Sequence, residues 1–156
     1  MKEFDHVSMT IPAKPEYVGV IRLTISGIAS RMGFDYEYME DLKIATSEAI
    51  TNAIQHAYKG DESGVVQIDF RLFGNRLEIF VSDNGDSFDI EKAKGLLQPY
   101  SEDEQIEFLR EGGLGLYLME SLMDEVRIHR NKGITVMMTK YLQGEQVETN
   151  VKTVFT

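Results

Sequence analysis

Two pairs of segments with alternating apolar and polar residues constrain the fold of this chain more than any other feature. The first pair lies within residues 65–83 and is interrupted by Gly74 and Asn75, a dipeptide typical of tight turns between antiparallel strands. The second pair lies within residues 125–142, with its turn at 131–133. The sequence therefore predicts two β-hairpins, whose paired strands must run antiparallel.

Other segments have the spacing of a strand or of helices. Residues 6–13 alternate like a strand, and residues 16–32 have the apolar period of a helix that ends at Gly33, a typical helix C-cap. Residues 36–58 and 114–123 predict two more helices. This order predicts an α+β fold: a two-layer α/β sandwich with a mostly antiparallel sheet and its helices on one face.

The composition excludes several classes of protein. The chain has 156 residues, no cysteine, and 26 acidic against 16 basic residues, for a net charge of −10. The acidic excess lies in residues 35–48 and 83–112. A basic face for binding DNA or RNA directly is therefore not expected. The sequence also lacks the apolar segment of a signal peptide or a membrane span, so we expect a cytoplasmic protein.

The second predicted helix carries the first candidate site. On a helical wheel, Asp41, Glu48, Asn52 and Gln55 cluster beside the apolar face. Glu48 and Asn52 are one turn apart, so both side chains point to the same place. A carboxylate beside an amide oxygen can place a proton acceptor next to a hard cation such as Mg²⁺. The alternative is a solvated polar helix face.

Two glycine-containing segments carry further candidates. Asp83 and Gly85 follow a strand, where the carboxylate could accept a hydrogen bond from an exocyclic amine and the glycine would admit a flat ring; the alternative is an Asx turn. Gly112, Gly113 and Gly115 precede a helix, and backbone N–H groups at a helix start can bind phosphate. The alternative there is a hinge or a helix cap.

Taken together, these segments resemble a known family. EAITNAIQHAY, DNGDSF and EGGLGL occur in the order of the N, G1 and G2 boxes of the GHKL superfamily of ATPases, which share the Bergerat ATP-binding fold. Over about residues 7–145, the chain is most similar to the RsbW branch, the anti-sigma-B serine kinases of Gram-positive bacteria. The resemblance implies one kinase domain over residues 1–145, a lid over about 86–112 and a polar tail over 146–156.

The resemblance also implies roles for individual residues. Glu48 would activate the hydroxyl of the substrate, and Asn52 would bind the Mg²⁺ that bridges the ATP phosphates. Asp83 would recognise the adenine amino group, with Gly85 at the face of the ring. Gly113 and Gly115 would lie near the phosphates, and Thr135 would lie near the base.

The chain departs from the family pattern at two positions. Ser87 stands where the common G1 box has a second glycine, although the RsbW branch tolerates this. Glu111 stands where sporulation anti-sigma kinases have an arginine before the G2 glycines, so Arg110 or another residue would have to approach the γ-phosphate.

The expected function is therefore that of an ATP-dependent serine kinase and anti-sigma factor. Such a protein sequesters a sigma-B-type sigma factor and phosphorylates an RsbV-like anti-anti-sigma protein on serine. The resemblance further implies a homodimer and a partner-binding first helix that includes Arg22. The alternatives are a sigma-binding module without catalysis and, less well supported, the ATPase domain of a histidine kinase.

Overall fold

A computed structural model describes residues 3–57, 64–83, 115–130 and 133–142. Five strands and three α-helices form within these ranges. The strands are β1 (Asp5–Pro12), β2 (Val65–Leu72), β3 (Arg76–Ser82), β4 (Glu125–Arg130) and β5 (Ile134–Tyr141). The helices are α1 (Val18–Met32), which follows a 3₁₀ turn at Pro15–Tyr17, α2 (Tyr36–Asn52), which continues as a π-helical turn at Ala53–Ala57, and α3 (Gly115–Leu122).

The five strands form one sheet in the order β1-β2-β3-β5-β4. Every neighbouring pair is antiparallel. Both predicted hairpins are present, and β3 pairs with β5 to join them. The predicted α+β fold is confirmed, because the sheet is antiparallel throughout the described residues and its helices share one core with one face of it.

The core lies between the helices and the inward residues of the strands. In β2 and β3 these residues face each other in register, as in Ile68 opposite Val81 and Phe70 opposite Ile79. The helices contribute buried aliphatic side chains at helical spacing, among them Ile21, Ile25, Ile28, Leu42, Ala45, Ala49 and Ile50. The apolar residues that recur every second position in the strands and about every 3.6 positions in the helices thus pack against each other in one core.

The opposite face of the sheet carries polar and charged side chains. His6 Nε2 lies 2.8 Å from Asp69 Oδ1 across β1 and β2. Arg76 Nε lies 3.0 Å from Glu78 Oε2 within β3. The buried carboxylates of Asp69 and Glu78 therefore each have a polar partner, which reduces the cost of burying them.

Capping residues define the end of α1 and the start of α2. Gly33 adopts a left-handed φ of 94° and caps α1, as predicted. The side chain of Asp35 accepts a hydrogen bond of 2.8 Å from the backbone N–H of Tyr38 and so caps the start of α2. The predicted helix over 36–58 differs from the structure at its end, because the α-helical pattern stops at Asn52. No helix among the described residues is long and apolar enough to cross a membrane.

The cap at Gly33 gives a stability prediction with an internal control. Gly33→Ala should lower the free energy of unfolding by about 1 kcal/mol, because an L-residue is strained in the left-handed conformation. Gly27→Ala, inside α1 with open space around the added Cβ, should instead raise it by about 0.5–1 kcal/mol. Urea unfolding followed by circular dichroism measures both. Equal changes of the same sign would contradict the cap assignment.

Candidate functional site

The candidate site lies where the end of α2, the end of β3 and the start of α3 meet the sheet. α2 packs against both β3 and α3. Asp83 directly follows β3, and Gly115 is the first residue of α3. The antiparallel register places Ser82, the last residue of β3, opposite Thr135 of β5. Three predicted segments that are distant in sequence therefore converge on one end of the sheet.

Asp83 is held in place by the backbone of β5. Its Oδ1 accepts a hydrogen bond of 2.9 Å from the N–H of Ile134, and its own N–H donates to the Ile134 carbonyl at 3.2 Å. Only 5% of the residue is exposed. This pairing fixes the carboxylate at the start of β5. Thr135, the next residue of β5, is half-buried and lies opposite Ser82 in the register. Ile134 acts through its backbone, so nothing in the sequence pattern indicated it.

Glu48 and Asn52 lie against the first residue of α3. A Cβ atom built on Gly115 would be 3.0 Å from Glu48 Oε2 and 3.0 Å from Asn52 Nδ2. Any side chain at this position would therefore push both groups aside. The absence of a Cβ at Gly115 is what allows α3 to begin directly over the carboxylate–amide pair.

The side chain of Asn52 has an unusual environment. The residue is 6% exposed, and its Nδ2 is buried without a hydrogen-bond partner among the described residues. Leaving a buried amide unpaired costs about 1–3 kcal/mol, so the group calls for an explanation, and a bound ligand or water that accepts from Nδ2 would provide one. At the start of an α-helix, the first N–H groups have no intrahelical partners and carry the positive end of the helix dipole.

These features fit a phosphate-containing ligand. The helix start offers N–H donors, Asn52 offers an amide, and Glu48 is only half-buried and can reach an incoming group. No cluster of three or more His, Cys, Asp or Glu side chains that could hold a metal ion occurs within the described ranges.

A cleft of about 230 Å³ lies elsewhere in the molecule. It is lined by Arg76, Glu78, Glu125, Arg127, Met137, Thr139 and Tyr141. These residues lie on the polar face of the sheet and towards the end of β3 that is remote from Asp83. The cleft therefore does not belong to the site at α2 and α3.

Several predicted site residues are not part of this geometry. Gly85 and Gly113 lie outside the described residues, as do the predicted lid (86–112) and tail (146–156). Arg22 is exposed on α1, and Val20, two residues earlier in the same helix, is 45% exposed. The structure thus brings together Glu48, Asn52 and Gly115, and it places Asp83 and Thr135 at the same end of the β3–β5 pair.

Comparisons with known proteins identify the family. A family model described as a histidine kinase-like ATPase domain matches residues 11–140. The serine-protein kinase RsbW of Bacillus subtilis (strain 168) is 59% identical over 144 residues, which cover 92% of this chain and 90% of the relative. The RsbW of Listeria monocytogenes serovar 1/2a is 51% identical over 152 residues, which cover 97% of each chain.

A solved structure supports the fold. The structure of the RsbU and RsbW domains of Rv1364c from Mycobacterium tuberculosis matches with a TM-score of 0.59 and 23% identity. The match covers 88% of this chain but 32% of that longer one.

The family model spans all three helices and all five strands, at least in part, so the chain belongs to the histidine kinase-like ATPase domain family. Within that family, identities above 50% over at least nine-tenths of both chains place it among the RsbW serine-protein kinases. The predicted family, fold and enzyme class are therefore confirmed. The roles of the individual site residues stay predictions.

The close approach at Gly115 predicts a loss of nucleotide binding without a loss of fold. In Gly115→Ala the added Cβ would meet only the ends of two side chains, which can move, so the thermal midpoint should change little. Displacing Glu48 and Asn52 should weaken binding of Mg-ATP by about tenfold.

Isothermal titration calorimetry measures the dissociation constant for Mg-ATP. Gly19→Ala is the matched control, because the same substitution there meets open space. Equal dissociation constants for the two variants would contradict a role of this approach in nucleotide binding.

Proposed function

We propose that this protein is an ATP-dependent anti-sigma kinase. It would sequester a sigma-B-type sigma factor and phosphorylate an RsbV-like anti-anti-sigma protein on serine. The observation that carries the proposal is the close approach of the start of α3 to the Glu48–Asn52 pair, in which the Nδ2 atom of Asn52 is buried and has no hydrogen-bond partner among the described residues. The serine-protein kinase name of its relatives supports the proposal.

Asn52 and the start of α3 would hold the phosphates. Mg²⁺ bound with ATP would supply charge neutralisation at the phosphoryl group. Asn52 would help to hold this ion through the oxygen of its side-chain amide. The N–H groups at Gly115 would bind the phosphates directly, because the helix dipole favours negative charge at this end.

Glu48 would act on the serine of the protein substrate. Its carboxylate lies at the start of α3 and is half-buried, so a serine side chain can approach from solvent. There it would orient the hydroxyl and accept its proton. Because phosphoryl transfer depends mostly on positioning, a carboxylate held by one rigid helix is well suited to this role.

Asp83 would select the base. The N–H of Ile134 holds one carboxylate oxygen, and this contact fixes the orientation of the group. The carboxylate could then accept a hydrogen bond from the exocyclic amine of adenine. Thr135, at the adjacent register position, would lie near the same ring, and Gly85 would allow the ring to approach the backbone.

The remaining parts of the proposal concern regions and partners. A single kinase domain would span residues 1–145, with residues 86–112 as a lid, Gly113 near the phosphates, and residues 146–156 as a tail. The exposed Arg22 on α1 would contact protein partners, and two copies of the chain would form a homodimer. The protein would act in the cytoplasm and would not bind nucleic acid directly, in accord with its net charge of −10.

If Glu48 acts as proposed, its substitution should slow phosphoryl transfer without weakening the binding of Mg-ATP. Glu48→Gln keeps the size of the side chain but removes the proton acceptor, so the rate of phosphoryl transfer should fall by about 10²-fold or more. The dissociation constant for Mg-ATP should stay within about threefold, since the phosphates would be bound mainly by Asn52 and α3. Phosphoserine mass spectrometry of the anti-anti-sigma protein measures transfer.

Glu40→Gln is the matched control for this experiment. Glu40 lies on the same helix and pairs with Lys43 at the surface. Unchanged transfer by Glu48→Gln would refute the role of this carboxylate. A wild-type protein that binds sigma factor but transfers no phosphate would instead favour the sigma-binding module without catalysis.

The proposed role of Asp83 concerns the base and not the phosphates. Asp83→Asn keeps a carbonyl oxygen for the Ile134 N–H but weakens acceptance from the adenine amine, so binding of ATP should weaken by about tenfold or more. The affinity for inorganic triphosphate with Mg²⁺ should stay unchanged. Asp5→Asn, an exposed residue of β1, is the control. Equal weakening of ATP and triphosphate binding would argue against base recognition.

A further inference from the structure

Lys140 occupies a position where the sheet otherwise carries core residues. It follows Val136 and Met138 at a period of two along β5, and it lies opposite the fully buried Leu77 of β3. Only 6% of Lys140 is exposed. A lysine is rarely buried to this extent unless its charge has partners.

The ammonium group of Lys140 has partners on both neighbouring helices. Its Nζ lies 3.4 Å from Asp41 Oδ2 of α2 and donates a hydrogen bond to the carbonyl of Leu122, the last residue of α3. It also lies 4.4 Å from the ring centroid of Tyr38 on α2. Burial, and next the charge of Asp124, raise the pKa of Tyr38, so this ring presents a neutral phenol to the cation.

The contact with Lys140 brings a positive charge to the C-terminal end of α3. The last turn of α3 contains no basic residue, although its terminal carbonyls carry the negative end of the helix dipole. Lys140 brings a positive charge to that end from β5. We name this group, formed by Lys140, Asp41, Leu122 and Tyr38, the lysine clasp.

The lysine clasp and the candidate site lie at opposite ends of the same helix. α3 begins at Gly115, against Glu48 and Asn52, and ends at Leu122, on the clasp. The helix is about 12 Å long, and an α-helix of that length moves as a rigid rod. A shift of its end is therefore transmitted to its start.

We propose that Lys140 is a positioning residue for nucleotide binding: through the lysine clasp it fixes α3, so that Gly115 stays against Glu48 and Asn52. The inference rests on the proposed function, because it assumes that Mg-ATP binds at the start of α3. It also explains why the core contains a lysine here. A methionine of similar length would fill the same space without the cost of desolvating a charge, so burial alone does not require an ammonium group.

The test replaces the charge while keeping the shape of the side chain. Lys140→Met should weaken binding of Mg-ATP by about tenfold and raise the KM for ATP by a similar factor, with a smaller change in kcat. In the nucleotide-free protein, the amides of residues 115–122 should exchange with deuterium faster than in the wild type. Calorimetry and hydrogen-exchange mass spectrometry measure these two effects.

Three further variants test whether the effect of Lys140→Met comes from the loss of positioning, from a general loss of stability, or from the loss of any lysine charge. Lys43→Met removes a lysine from the surface of α2, and Ile68→Val truncates the core on β2, away from α3. Neither should change nucleotide affinity or the exchange of residues 115–122. Lys140→Arg keeps the charge and the donors, so it should restore most of the affinity.

The outcomes distinguish this inference from the proposed function. A wild-type protein that binds no Mg-ATP would refute the proposed function. A wild type that binds it and a Lys140→Met variant with the same affinity and the same exchange would overturn the positioning role, as would an equal loss of affinity in Ile68→Val. If Lys140→Met does not fold, Asp41→Asn decides the matter, with faster exchange of residues 115–122 and weaker binding expected, and no change in either overturning the inference.

Discussion

The structure depends on the close approach of two helices at a single glycine. Gly115 lets the start of α3 lie so close to Glu48 and Asn52 that an added Cβ would be 3.0 Å from both side chains and would displace them. The approach buries the Asn52 amide and places helix N–H groups beside a carboxylate. The geometry of the candidate site thus depends on the absence of a Cβ atom at this position.

The antiparallel sheet makes that approach possible. β3 carries Asp83 to the same end of the molecule as the end of α2, and the register with β5 places Thr135 opposite the preceding residue, Ser82. At the other end of β5, Lys140 binds the end of α3 through the Leu122 carbonyl. One strand therefore contributes to the candidate site, where Ile134 holds Asp83, and to the anchor of the helix that would hold the phosphates.

Much of the fold follows from local sequence signals. The turn at Gly74 and Asn75, the cap at Gly33 and the two alternating segment pairs are short-range features, and the structure contains each of them. The end of α2 could not be predicted in this way, because apolar spacing continues beyond Asn52 where the helix changes to a π-helical turn. A stretch of five residues is too short for apolar spacing to distinguish a π-helical turn from a further turn of α-helix.

The sequence by itself determined which chemical groups the site contains. Glu48 and Asn52 lie one turn apart on one helix, so their proximity needs no tertiary structure. Only the tertiary structure decided that Gly115 lies over this pair, that the backbone of Ile134 holds Asp83, and that Lys140 anchors α3. These contacts join residues far apart in the chain through packing and backbone groups, and a backbone N–H is the same at every residue except proline, so no residue type marks it in advance.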